Sequence, residues 1–122
     1  MGWSMMVKVY KVVFNISGRL FMYVGESERK PKLWLLMKWR RCRENKGGNL
    51  LDSFFCENNI DSADRLWLAV VKITTEDVVS THKQAKLVVG KTISQFSKVP
   101  DITILNSYKN RAYVRGCQKK AL

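Results

Sequence analysis

Two tyrosines, Tyr10 and Tyr23, lie in neighbouring β-like segments near the start of the 122-residue sequence. The segments cover residues 7–16 and 20–24, and the Ser-Gly pair between them favours a tight hairpin turn. Strand alternation and hairpin pairing can bring both hydroxyls to one shared spot. A phenol is a weak acid at neutral pH, so acid–base chemistry there needs a nearby cation or metal to lower its pKa. The alternative is that both rings simply pack as half-exposed strand aromatics.

The net charge favours a polyanionic partner. Lys and Arg number 22 against 10 Asp and Glu, which gives a formal charge of +12. Self-repulsion of that size costs folding energy, and nucleic acid is the commonest partner that makes use of it. The alternatives are a solvated basic surface and a ribosomal-type structural role.

The cysteines and the hydropathy pattern predict a soluble intracellular protein of the cytoplasm or nucleoid. Cys42, Cys56 and Cys117 lie far apart, with no CxxC pair and one histidine in the chain, so zinc-site spacing is absent. Their odd number excludes a full disulfide framework, and we expect reduced thiols. No apolar run approaches the roughly 20 residues of a membrane helix.

The elements that follow the hairpin predict one α+β domain over residues 1–122, with the order β-β-α-α-β-α around an antiparallel three-stranded sheet. No separate recognition domain is expected. The predicted elements are a basic helix over 32–45 ending at Gly47-Gly48, a short helix over 49–59, a central strand over 65–73, a helix over 76–96 whose acidic start suits the helix dipole, an extended piece over 101–107 and a basic tail over 107–122.

This order, together with "KVYKV…YVGES" at residues 8–27 and a late "LN", resembles the GIY-YIG nuclease family over nearly the whole chain. The family motif reads close to "GIYKI…YIGxS", so Tyr10 and the triplet at 23–25 match. Lys8-Val9-Tyr10 replaces Gly-Ile-Tyr, and the first glycine is absent. The resemblance implies metal-dependent hydrolysis of phosphodiester bonds in DNA.

The resemblance also implies roles for the hairpin residues. Tyr10 and Tyr23 would order or deprotonate the water that attacks the phosphodiester. Gly25, which has no Cβ, would let the backbone pass close to a phosphate or another strand.

An arginine of the first helix would stabilise the charge that develops on the phosphorane. The family keeps that arginine near the start of the helix, where this chain has Leu33. The candidates are therefore Arg40 and then Arg41, with Arg29 in the preceding loop, while Arg43 would contact nucleic acid. The alternative for each is a solvated basic face that holds the DNA backbone without chemistry.

The family's metal-binding glutamate corresponds to Lys83 or, with the alignment shifted by one residue, to Gln84. Lys83 is one helical turn from Val79 and Leu87 in the predicted helix, which places it on an apolar, inward stripe. An ammonium cannot bind the Mg²⁺ or Mn²⁺ ion of an active form, so we expect a catalytically impaired chain. Either the chain is a Glu-to-Lys variant of a nuclease or it is a natural relative that binds without cutting. The alternative is an ordinary lysine whose stem packs at the core edge while its head reaches water.

Two further regions complete the expected site. Asn106 matches the family's late asparagine, which braces the site by hydrogen bonds, although it could also be an ordinary strand-end residue. His82 is predicted to be a surface or core-edge residue. The tail adds cations beside aromatic rings, which suits a phosphate backbone or a solvated terminus: Lys109, Arg111 and Arg115.

The sequence thus predicts a GIY-YIG-type endonuclease domain, impaired as written, that binds DNA, with duplex DNA expected first. Cutting both strands would call for a homodimer. The competing prediction is a non-catalytic module that keeps the fold and binds DNA or RNA.

Overall fold

The computed structural model describes residues 6–44 and 49–106. The predicted helix end at Gly47-Gly48 and the tail candidates Lys109, Arg111 and Arg115 lie outside these residues. Within them, no helix combines the length and the apolar character needed to cross a membrane.

The described residues form four strands and four helices, which confirms the α+β class. In chain order they are β1 (Val7–Ile16), β2 (Arg19–Ser27), α1 (Pro31–Glu44), α2 (Leu50–Glu57), α3 (Ala63–Ala69), β3 (Val70–Val79), α4 (His82–Phe96) and β4 (Ile102–Ile104).

The sheet has four strands in the order β3-β1-β2-β4, so the predicted three-stranded antiparallel sheet was wrong in detail. β1 pairs antiparallel with both β2 and β3, whereas β4 runs parallel to β2 from Leu20 to Met22. The strand predicted over 65–73 was expected to be central, yet β3 lies at the edge. Its first half is α3, because the Ser62 hydroxyl accepts a hydrogen bond from Arg65 N at 3.2 Å and caps a helix there.

The last helix begins later than predicted. Thr81 caps α4, with its hydroxyl accepting from Gln84 N at 3.1 Å, and residues 76–79 belong to β3. Glu76 lies 3.6 Å from Lys11 Nζ on the neighbouring strand. The acidic pair at 76–77 therefore belongs to a strand, because pairing with β1 outweighs the local signal for a helix start.

The two faces of the sheet carry different cores. Helices α1, α2 and α3 cover an aromatic face that includes Tyr10, Phe14, Tyr23, Trp34, Trp39 and Phe54. Helix α4 covers an aliphatic face that includes Val9, Met22, Val24, Ala85 and Val89. Side chains of α1 and α4 are thus separated by the sheet.

Candidate nucleic-acid interface

Tyr10 and Tyr23 lie on the same face of the hairpin, under α1. In the β1–β2 register, Tyr10 is opposite Gly25 and Val12 is opposite Tyr23. Both rings contact the indole of Trp34, with ring centroids 5.2 Å and 6.1 Å away. Both tyrosines are buried, so they form part of the aromatic core as well as the floor beneath α1.

The hydroxyl of Tyr10 holds the loop between β2 and α1. It donates a hydrogen bond to the carbonyl oxygen of Arg29 at 2.6 Å. Burial raises the pKa of Tyr10, so its phenol keeps the proton that this bond uses. The contact gives Tyr10 a positioning role toward Arg29, while a role in activating water remains a prediction.

Gly25 lies directly beneath the Trp34 indole of α1. A Cβ atom built on Gly25 would lie 2.7 Å from Cζ2 of Trp34, which is shorter than van der Waals contact allows. The neighbour that requires a glycine is therefore this indole, where we had expected a phosphate or another strand.

A cleft of about 150 Å³ opens between the end of β2, the following loop and α1. We call it the α1 cleft. Its lining residues are Glu26, Ser27, Arg29, Trp34, Met37, Lys38 and Arg41. Three of the seven are cationic and one is acidic, so the cleft is suited to an anion.

Lys38 also lines this cleft, although the sequence did not predict it as a site residue. Its Nζ atom lies 5.6 Å from the centroid of the Tyr23 ring. Burial, followed by the positive charge of Arg41, lowers the pKa of Lys38. Lys38 and Arg41 thus line the same cleft, and an anion bound there would offset the repulsion between their charges. The spacing of Trp34, Lys38 and Arg41 along one helical face could have indicated the cluster.

The four candidate arginines separate into two groups. Arg29 and Arg41 line the α1 cleft. Arg40 is exposed and is not among the lining residues, contrary to the expectation that it would point to the hairpin. The guanidinium of Arg43 lies 5.2 Å from the Trp39 ring centroid, beside a second cavity of about 240 Å³ between α1 and α2. The helix presents Leu35 and Trp39 to the core, which turns Arg40 to solvent.

Lys83 and Gln84 are exposed on α4, on the opposite side of the sheet from both tyrosines. The expected inward stripe through Lys83 was wrong. Val79 lies in β3, and Leu87 is 71% exposed, so neither marks an inward helical face. The buried positions of α4 are Ala85, Val89, Thr92 and Ile93.

His82, the first residue of α4, joins that helix to the end of β2. Its Nδ1 lies 2.8 Å from Glu26 Oε2, and its Nε2 lies 3.2 Å from Glu28 Oε2. The hydrogen bond to Glu26, then that to Glu28, raises the pKa of His82. Because Glu26 also lines the α1 cleft, this surface histidine tethers one wall of the cleft to α4.

Asn106 is fully buried beside the hairpin, and its side chain binds the backbone of Val24, between Tyr23 and Gly25. Its placement gives the expected bracing residue a definite partner. The family's use of such an asparagine in catalysis remains a prediction for this chain.

The residues around the tyrosines do not fit a divalent metal ion. Across residues 6–44 and 49–106, no three His, Cys, Asp or Glu side chains group so that they could hold one. The α1 cleft offers one carboxylate among three cations, whereas Mg²⁺ and Mn²⁺ need several oxygen ligands. The Mg²⁺ or Mn²⁺ of an active form remains a prediction.

Comparison with family models, curated proteins and solved structures finds no match to this chain.

Proposed function

We propose that this chain binds nucleic acid through the α1 cleft, with backbone phosphates placed against Arg29, Lys38 and Arg41. The observation that carries the proposal is that Lys38, half-buried above the Tyr23 ring, and the exposed Arg41 line the same cleft. Guanidinium groups bind phosphate oxygens through paired donors, and a desolvated ammonium gains most from a counter-charge. Duplex DNA is the first ligand to test, and RNA is the second.

Binding without cutting is the form of this function that the geometry favours. The Tyr10 hydroxyl is engaged by a backbone carbonyl, and the residues around the tyrosines offer too few oxygen ligands for a metal. The half-buried Met37 at the cleft can contact sugar carbons, which suits binding to a nucleic-acid backbone. The chain would then be a non-catalytic nucleic-acid-binding module of GIY-YIG-like design.

A GIY-YIG-type endonuclease is the second candidate, and one observation favours it. Tyr10 and Tyr23 share one face of the hairpin, and Arg41 lies in the adjacent cleft, in the kind of grouping that the sequence resemblance implies. In that case Tyr10 and Tyr23 would order or deprotonate the attacking water, and Arg41 would stabilise the charge that develops on the phosphorane.

The binding test compares Arg41→Glu with Arg40→Glu in fluorescence anisotropy titrations of a labelled duplex over a salt series. Both changes alter the net charge equally and lie side by side on α1, but only Arg41 lines the cleft. We expect Arg41→Glu to weaken binding roughly tenfold and to reduce the salt slope by about one, because a phosphate contact is lost. Equal losses for the two variants would contradict a cleft-specific contact.

The cutting test incubates the wild-type chain with supercoiled plasmid and Mg²⁺ or Mn²⁺. The proposal expects plasmid binding with no nicked product. Nicking that Tyr23→Phe abolishes would establish the endonuclease candidate in its place.

A further inference from the structure

We propose that the outer face of α4 is a second contact for a nucleic-acid backbone, so that one copy of the chain holds two nucleic-acid segments on opposite sides of its sheet. The ligand class rests on the proposed function, whereas the site is new. We define the α4 lysine face as Lys83, Lys86 and Lys91, with Leu87 among them.

The packing of α4 fixes the direction of these lysines. Ala85, Val89 and Ile93 are buried against the sheet, so the opposite side of the helix faces solvent. Lys83, Lys86 and Lys91 are all exposed there. At 1.5 Å of rise per residue, the face is about 12 Å long, which is enough to follow several phosphates of one DNA strand.

The charge of this face is not neutralised by the parts of the chain that the structure describes. Helix α4 contains no Asp or Glu. None of its three exposed lysines forms an ion pair within the described residues. At its N-terminal end, the carboxylates of Glu26 and Glu28 are engaged by His82. Concentrating unpaired cations on one rigid face of a chain with a charge of +12 costs energy that a polyanion would recover.

The apolar content of the face favours nucleic acid over a membrane surface. A helix that lies in a membrane interface needs a broad apolar side to bury among the lipids. The apolar side of α4 is already buried on the sheet, and Leu87 is the single large apolar side chain exposed on this helix. One leucine among lysine stems can contact sugar carbons but cannot anchor a helix in lipid.

The position of the face implies two separate segments of nucleic acid. The α1 cleft lies on the aromatic side of the sheet and the α4 lysine face on the aliphatic side, with the sheet between them. The two sites come near each other only at the start of α4, where His82 contacts Glu26 of the cleft, and the sheet separates the rest of the α4 lysine face from the cleft. Occupation of both sites would therefore bridge two duplexes, or two distant parts of one.

The test is a bridging assay with the full chain. A duplex is tethered to beads, and retention of a second, fluorescent duplex is measured as protein is added, with light scattering to give the mass of the protein. The variant Lys83→Gln with Lys91→Gln removes two cations from the face. The matched control is Arg19→Gln with Lys72→Gln, which removes two exposed cations elsewhere.

We expect the wild-type chain and the control to retain the second duplex on the beads. The α4 variant should retain at least tenfold less of the second duplex than the wild type while still binding a single duplex. An equal loss of retention in the α4 variant and the control would overturn the inference. It would also be overturned if the protein were a dimer and the α4 variant still bridged two duplexes. Single-duplex binding by the wild type without any bridging would also overturn it and leave the proposed function standing. Failure to bind any duplex would instead remove the proposed function itself.

Discussion

The side chain of Asn106 replaces a strand partner for Val24. Its Oδ1 accepts from Val24 N at 3.0 Å, and its Nδ2 donates to Val24 O at 2.7 Å. The parallel pairing of β4 with β2 ends at Met22, whose carbonyl also accepts from Leu105 N at 2.8 Å. Asn106 thus extends the hydrogen bonding along this edge of β2 from Met22 to Val24 and holds the strand that carries Tyr23 and the glycine beneath Trp34.

Replacing Asn106 by alanine should be strongly destabilising. The change leaves a buried N–H and a buried C=O of Val24 without partners, which costs about 2–4 kcal/mol of unfolding free energy. Asn15→Ala is the matched control, since the Asn15 side chain accepts one exposed hydrogen bond from Gly18 N. Urea unfolding followed by tryptophan fluorescence gives both values. Similar losses for the two variants would show that the Val24 contact has no special weight.

Gly25→Ala should destabilise the protein by about 1–3 kcal/mol through overpacking against the buried indole of Trp34. The built Cβ meets the ring at 2.7 Å, and that ring is buried and packed against Tyr10 and Tyr23. Gly90→Ala in α4 is the opposite case, because its Cβ would meet nothing within 4 Å. That change should stabilise the protein by roughly 0.5–1 kcal/mol through helix propensity. Thermal and urea unfolding of both variants measure these opposite changes in stability. A Gly25→Ala protein as stable as the wild type would contradict the prediction.

His82 should make stability depend on pH. Its folded-state pKa is raised by Glu26 and Glu28, so the protonated histidine is favoured by folding. The resulting stabilisation is complete below the unfolded pKa of about 6.5 and is lost as pH rises through the higher folded-state value. The difference in stability between wild type and His82→Gln should therefore shrink across that window. Glu28→Gln should reduce this dependence of stability on pH. A stability difference between wild type and His82→Gln that stays constant with pH would show that the contacts of His82 with Glu26 and Glu28 do not favour its protonated form.

Restoring a carboxylate at position 83 or 84 should not create a nuclease. Both side chains are exposed on α4 and are separated by the sheet from the tyrosines. Lys83→Glu and Gln84→Glu, each with Mg²⁺ or Mn²⁺, should give no nicked plasmid and no metal-dependent rise in melting temperature. Nicking by either variant, abolished by Tyr10→Phe, would require α4 to pack differently and would support the endonuclease candidate.

Local signals were sufficient for the hairpin and for the first two helices. Alternation of β-branched and aromatic residues around Ser-Gly marked β1 and β2 and placed both tyrosines on one face. The apolar periodicity after Pro31 marked α1, and the phenylalanines at 54 and 55 marked α2. These features depend on neighbours within a few residues, which is why the sequence alone determined them.

Only the tertiary structure decided how the later segments divide and which way their helices face. The apolar run at 65–73 suits a helix or a strand equally, and pairing with β1 settles the change at Val70. Likewise, the sequence of α4 is compatible with either Lys83 or Ala85 facing inward. Packing against the aliphatic face of the sheet places Ala85 inward. The α1 cleft joins residues from a strand, a loop and a helix, and the face that each presents depends on packing between distant segments.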